Sequence, residues 1–141
     1  MDKPIPDEYR RVTPYIIVVG ADRAVDFYKR VFGASERMRM PRPDGKIGHA
    51  EIEIGDSVIM LADESPQSDA YAPAHYGGSP ITLLIYSEDC DATYQRALSA
   101  GATSVREPAD QPYGDRMSGV KDPFGHTWFI ATHIKDVDFG T

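Results

Sequence analysis

The stretch Thr13–Tyr28, TPYIIVVGADRAVDFY, decides how this chain is read, because the chain spells its pattern twice. The run from Thr13 to Val19 is rich in β-branched residues, as a half-buried strand should be. From Asp22 the apolar spacing turns helical, with Ala24, Val25, Tyr28, Val31 and Phe32 at three- and four-residue intervals. Asp22 is the expected N-cap and Gly33 the expected stop. Sixty-nine residues on, Thr82–Ser87 (TLLIYS) is again a strand, and from Asp91 the run DATYQRALSA is again a helix, stopping at Gly101. Later in each half, GDSVIM from Gly55 and GHTWFI from Gly125 fall seventy residues apart. An internal duplication of this kind predicts an α+β fold of two βαβββ modules.

The rest of each module fills in around that pattern. Ser35–Met40 reads as a short strand, PRPDG from Pro41 as a turn, and IGHAEIEIGDSVIML as a hairpin with Gly55-Asp56 at its tip. In its first arm Ala50, Ile52 and Ile54 alternate with His49, Glu51 and Glu53. In the second half a strand is expected near 102–107 and a hairpin over about 114–132, with Asp122-Pro123-Phe124-Gly125 in type I turn order. The modules span about 12–62 and 81–133 of a single domain covering 1–141. They are joined by a linker, 63–80, with three prolines, two glycines and three serines, longer than most connections in a compact domain. Residues 1–11 read as a loose polar lead-in.

A net charge of −7 argues against a broad nucleic-acid or anionic-membrane surface, so neither partner is expected. A lone cysteine, Cys90, leaves no disulfide and no thiolate zinc cluster within one chain. At the start of the second helix its pKa is expected to fall, yet no histidine is paired with it by spacing. No signal peptide or membrane-length apolar run is present, so a cytoplasmic protein is expected.

The segments ADRAVDFYKRVFGA, GKIGHAEIEIGDSVIMLAD, YSEDCDATYQRALSAGA and YGDRMSGVKDPFGHTWFIATH, in this order and spacing, resemble the vicinal oxygen chelate superfamily. That group holds glyoxalase I, extradiol dioxygenases, and fosfomycin- and bleomycin-resistance proteins. YGDR and DPFGHTW look most like its PhnB-like subgroup. The resemblance covers roughly residues 12–133. It implies curled mixed sheets around a cavity, a homodimer, and, in the enzymes, a divalent metal held by His and Glu at four strand positions. Those positions land here on Thr13, Thr82, Ile59 and Phe129, with Met60 as the neighbouring register. None supplies an imidazole or carboxylate, so no metal and no other cofactor is expected there. A non-standard site near His49 and Glu51 is the alternative, but a third ligand would have to come from another strand.

Strand alternation puts Tyr15, Ile17, His49, Glu51, Leu84, Tyr86 and Phe129 on cavity-facing positions and Trp128 in the core. Arg116 stands ready to take a carboxylate or phosphate oxygen bidentately, or else to fix its own loop together with Asp115. His126 is expected at the hairpin turn, and His75, Tyr76 and His133 at the surface. The leading expectation is therefore a binder of a planar or apolar small molecule. The alternative is a metal-dependent lyase, isomerase or dioxygenase with a displaced site. A third is a partner-binding module whose pocket has closed.

Overall fold

The computed structural model describes residues 2–140. The chain divides after His75 into two compact units. The first holds β1 (Tyr15–Val18), α1 (Ala21–Phe32), β2 (Ser35–Pro41), β3 (Ile47–Ile54) and β4 (Ser57–Asp63). The second repeats the order with β5 (Thr82–Tyr86), α2 (Cys90–Ser99), β6 (Thr103–Asp110), β7 (Asp115–Lys121) and β8 (Thr127–His133). Each unit is one four-stranded mixed sheet, ordered β1-β4-β3-β2 and β5-β8-β7-β6. In each, the first strand lies parallel to the last and the other pairs are antiparallel. Two βαβββ modules are thus what the chain builds. The expected linker carries two short 3-10 turns, Pro66–Ser68 and Pro73–Tyr76.

One face of each sheet packs on its own helix. In the first unit Ala24, Val25, Tyr28 and Val31 of α1 are fully buried, as are Val18, Ala50, Ile52 and Leu61 of the sheet. In the second, Tyr94 and Ala97 of α2 are buried together with Val120, Trp128 and Ile130. Trp128 is 2% exposed and its Nε1 donates to Asp122 at 2.9 Å, so it belongs to the core as its alternation predicts. Asp122 opens the expected turn, accepting Gly125 N–H on its carbonyl at 3.1 Å and the N–H groups of Phe124 and His126 on its carboxylate.

Helix α1 stops as expected, at Gly33 in the left-handed region with φ 69°. Its start does not follow expectation. Gly20, not Asp22, is the N-cap and offers no side chain. The cap comes from the far end of β4: Asp63 Oδ1 accepts Gly20 N–H at 2.7 Å and Ala21 N–H at 2.9 Å, while Oδ2 accepts Ile47 N–H at 2.8 Å. A carboxylate delivered through the sheet meets the same orphan donors that a local cap would.

The spacing of the repeat also needs correction. Tyr15 pairs with Met60, and Leu84 with Phe129, so Met60 is the structural counterpart of Phe129, and the first and last strands of the units repeat at 69 residues, not 70. Ile59 is buried beside Ile52 on the helix side. The cause is turn length. Residues Ile54 and Ser57 pair across a two-residue tip, whereas Lys121 and Thr127 pair across residues 122–126. Aligning Gly55 with Gly125 hides that difference.

Candidate functional site

The face of each sheet turned away from its helix carries the residues alternation singled out. On the first sheet, Tyr15 (49% exposed) and Ile17 of β1 share this face with Met60 of β4 and with His49 and Glu51 of β3. Three of these side chains are joined in a line. The Tyr15 hydroxyl lies 2.9 Å from His49 Nδ1, and His49 Nε2 lies 2.8 Å from Glu51 Oε2. Glu51 is 4% exposed although it sits on the open face, because Tyr9 and Arg37 cover it. Tyr9 donates its hydroxyl to Glu51 Oε1 at 2.8 Å, and Arg37 Nε stands 3.9 Å from the same oxygen. Arg37 also lies over the Tyr9 ring, 5.0 Å from its centroid.

Burial pushes the Glu51 carboxyl up, but the hydrogen bonds from His49 and Tyr9 and the Arg37 charge outweigh it, leaving its pKa below the usual carboxylate range. The hydrogen-bond directions follow. An ionised carboxylate only accepts, so a neutral His49 ring carries its proton on Nε2 and leaves Nδ1 to accept from the Tyr15 hydroxyl. The Tyr15 hydroxyl is itself pushed up by burial and then by the Glu51 charge. What results is an exposed phenol, oriented by an imidazole, oriented in turn by a buried anion.

The second sheet's open face is built differently. Leu84 (49% exposed) and Tyr86 (63% exposed) of β5 share it with Phe129 of β8. Tyr86 donates to Asp115 Oδ2 at 2.9 Å, and His133 Nδ1 meets Asp115 Oδ1 at 2.8 Å while its Nε2 meets Asp136 at 2.7 Å. Hydrogen bonds from His133 first, then Tyr86, hold the Asp115 carboxyl below its usual range, and Asp115 and Asp136 raise the His133 imidazole. Arg106 covers the Phe129 ring at 5.3 Å.

Arg116 does not join this face. It lies on the helix side of β7, clamping Asp91 of α2 with Nε at 2.7 Å and Nη2 at 3.0 Å, while Nη1 reaches Asp110 at 2.9 Å. Strand β7 begins at Asp115, so Asp115 faces out with Tyr86, and Arg116 one residue later faces in. Its guanidinium spans α2 and β6, the loop-fixing role. Cys90 also departs from expectation: it is buried with its thiol against the Ile130 carbonyl and Ser118 hydroxyl, and burial raises its pKa. Tyr9 and Arg37 were not foreseen, since a lone tyrosine in a proline-containing polar lead-in has no periodicity to reveal it. That lead-in is tied down, with Arg10 also reaching Asp56 at 3.2 Å.

The four positions where the superfamily's enzymes place metal ligands are Thr13, Met60, Thr82 and Phe129 in this register. Thr13 donates its hydroxyl to the Arg10 carbonyl, and the other three side chains bring no anionic or imidazole donor. This set does not fit a divalent cation. Among the described residues no group of three or more His, Cys, Asp or Glu side chains is placed to hold a metal. A concavity of about 290 Å³ lies by the start of α1, lined by Arg23, Lys46, Asp22 and Glu64 among others. There the helix-terminal Gly20 and Ala21 N–H groups already belong to Asp63, which fills the place of an anion.

Paired βαβββ units define the class of protein: a duplicated module in which each sheet has one face on its own helix and one face carrying ring and polar side chains. The chain belongs to the Glyoxalase/Bleomycin resistance protein/Dioxygenase superfamily, whose model matches residues 11–130. It is 42% identical over 130 residues to an uncharacterised protein of Mycobacterium bovis, covering 90% of this chain and 86% of that one. It is 31% identical over 112 residues to the anthracycline biosynthesis protein DnrV of Streptomyces peucetius, covering 78% of this chain and 36% of that longer protein. Among solved structures, TioX from Micromonospora sp. ML1 superposes with a TM-score of 0.70 at 29% identity, covering 89% of this chain and 99% of that one. Among the described residues no helix is long and apolar enough to cross a membrane.

Proposed function

We propose that the protein binds a flat, largely apolar small molecule on the open face of its first sheet, without a metal at the superfamily's usual positions. The observation that carries this reading is the half-exposed Tyr15 ring beside Ile17 and Met60, with its hydroxyl already fixed by His49. A ligand there meets a stacking surface and a preset polar end, and loses no binding energy to ordering them. Leu84, Tyr86 and Phe129 offer a comparable surface on the second sheet. Likeness to a protein of anthracycline biosynthesis supports a polycyclic ligand. The YGDR and DPFGHTW segments support the PhnB-like subgroup, and membership of the superfamily supports a homodimer.

The test is a thermal-shift screen of planar aromatic compounds. A ligand at a hundred times its Kd stabilises by about 2.7 kcal/mol, which a melting curve resolves. For a hit on the first sheet, Tyr15→Ala and Glu51→Gln each weaken binding at least about tenfold, or 1.4 kcal/mol. Tyr86→Ala is the same test for the second sheet. A panel that leaves the melting temperature unmoved defeats the proposal. Metal analysis of protein purified without chelator should find less than about a tenth of an equivalent of Zn, Ni, Mn or Fe. Near-stoichiometric metal that disappears in His49→Ala would instead favour the lyase, isomerase or dioxygenase reading. A monomeric mass by light scattering would remove the dimer.

A further inference from the structure

The hydrogen-bonded line on the first sheet has a direction, and its outer end is open. Glu51 is 4% exposed and has a partner on each oxygen: Oε1 accepts from Tyr9 with Arg37 alongside, and Oε2 accepts from His49. It therefore faces no ligand itself and acts through the ring it holds. Should the other nitrogen take a proton, the imidazolium that forms keeps this buried carboxylate as its partner. That other nitrogen, Nδ1, takes the Tyr15 hydroxyl at 2.9 Å. The Tyr15 oxygen keeps a lone pair for an incoming donor, on a ring that is 49% exposed.

We propose that Tyr15, His49 and Glu51 form a proton relay that binds a ligand bearing a phenolic or enolic hydroxyl and holds it in its ionised form. The proposal rests on the binding reading above and adds what the ligand must carry. The step balances without any co-reactant. The ligand O–H bond breaks and leaves its electron pair on the ligand oxygen, while its proton passes to the Tyr15 oxygen. The proton Tyr15 held passes to His49 Nδ1. The product is a ligand anion beside an intact phenol, an imidazolium and the Glu51 carboxylate, with net charge unchanged. Tyr15 shuttles and is not consumed, in keeping with a hydroxyl that burial and the Glu51 charge hold protonated.

Acid strength selects the ligand class. A carboxylic acid arrives already ionised at neutral pH, with no proton to give, and meets the negative charge of Glu51 behind a neutral ring. An aliphatic alcohol is too weak an acid to protonate an imidazole. A phenol, near pKa 10 when unperturbed and lower when conjugated to a carbonyl, arrives neutral yet is far more acidic than an alcohol, so it has a proton to give. Ile17 and Met60 beside Tyr15 suit the apolar body of such a ligand.

The experiment uses 1,2-dihydroxyanthraquinone, a planar phenol whose visible absorption moves to longer wavelength on ionisation. The dye is titrated with wild-type protein about one pH unit below its free pKa, and binding is followed independently by calorimetry. The expected result is bound dye with the anion's spectrum, its ionisation constant raised at least tenfold. His49→Gln and Tyr15→Phe should each abolish that tenfold gain. Tyr15→Phe removes one oxygen atom, so it decides the matter if His49→Gln fails to fold. Dye that binds with the neutral spectrum, or that stays ionised on Tyr15→Phe, overturns the relay and leaves small-molecule binding standing. Dye that does not bind the wild type overturns both.

Discussion

Replacing Asp63 with alanine removes three hydrogen bonds from two places at once. The start of α1 loses the partner of Gly20 and Ala21 N–H, and β3 loses the partner of Ile47 N–H, all within 2.7–2.9 Å of a side chain only 7% exposed. Loss of a helix cap costs up to about 2 kcal/mol. A buried donor left unsatisfied at Ile47 costs a further ~1–3 kcal/mol. Because the three bonds share one carboxylate they do not add in full, and about 4 kcal/mol is the expected total. The same place in the second unit is held by Thr132, one residue beyond the Tyr86–Ala131 pair. Its hydroxyl accepts Cys90 N–H at 2.8 Å and donates to the Ser87 carbonyl at 2.8 Å, while α2 has its own cap in Asp89. Thr132→Val should therefore cost less, about 1–2 kcal/mol. Urea unfolding measures both. With a slope near 2 kcal/mol/M, Asp63→Ala should lower the midpoint by about 2 M and Thr132→Val by less than 1 M. A shift under about 0.5 M for Asp63→Ala, or the reverse order, would refute the claim that β4 supplies the helix cap.

Other outcomes follow from the same contacts. The raised His133 pKa stabilises the fold fully below the unfolded imidazole value, and that contribution is lost as pH rises through the folded one. The depressed Asp115 pKa contributes above the unfolded carboxyl value and is lost as pH falls through the folded one. The pair is thus strongest between about pH 4 and 6.5, and the melting temperature should fall between pH 6 and 8.5 more in wild type than in His133→Gln. Gly114→Ala should destabilise by about 1–2 kcal/mol through its φ of +96°. It also drives a Cβ into the Lys135 carbonyl, so exchange protection of the Ile134 and Lys135 amides, both donated to Gly114, should drop. Trp128→Ala should cost about 3–5 kcal/mol in denaturant melts, and loss of ligand binding in a stably folded Trp128→Ala would mean the strand faces are inverted.

Much of the fold was legible because the signals are periodic. The β-branched run at Tyr15, the apolar stripe of α1 and the alternation through Ala50 and Ile52 each mark one face, and burial follows them. What escaped was aperiodic or nonlocal. Asp22 stood where a cap is usual, but Asp63, 41 positions later, wins because the parallel pairing of β1 with β4 ends beside the helix start. For Arg116 the sequence left ligand contact and loop fixing both open, because which way it faces depends on where β7 begins, and one residue inverts every side chain. In the site, Tyr15, His49 and Glu51 were named from alternation alone. Tyr9, which buries Glu51, comes from a segment with no repeating pattern at all.

The corrected register also shows how the two units came to differ. Tyr15, Met60 and Glu51 lie side by side across the first sheet, and Leu84, Phe129 and Gly119 hold the same places in the second. The carboxylate of one unit thus stands where the other has no side chain. That absence is used: a Cβ on Gly119 would lie 3.1 Å from Cδ1 and 3.2 Å from Cε1 of the Phe129 ring. A rigid ring at the β8 position and a side chain at the β7 position crowd each other, so the ring would have to give by a few tenths of an ångström, whereas flexible Met60 leaves room for Glu51. With Glu51 present, His49 gains a partner and Tyr15 an oriented hydroxyl. With Gly119 in that place, Phe129 lies under Arg106 and the polar groups withdraw to the sheet's far end, at Asp115 and His133. One position across the sheet therefore separates a face with a hydrogen-bonded carboxylate from one with an aromatic ring in its place.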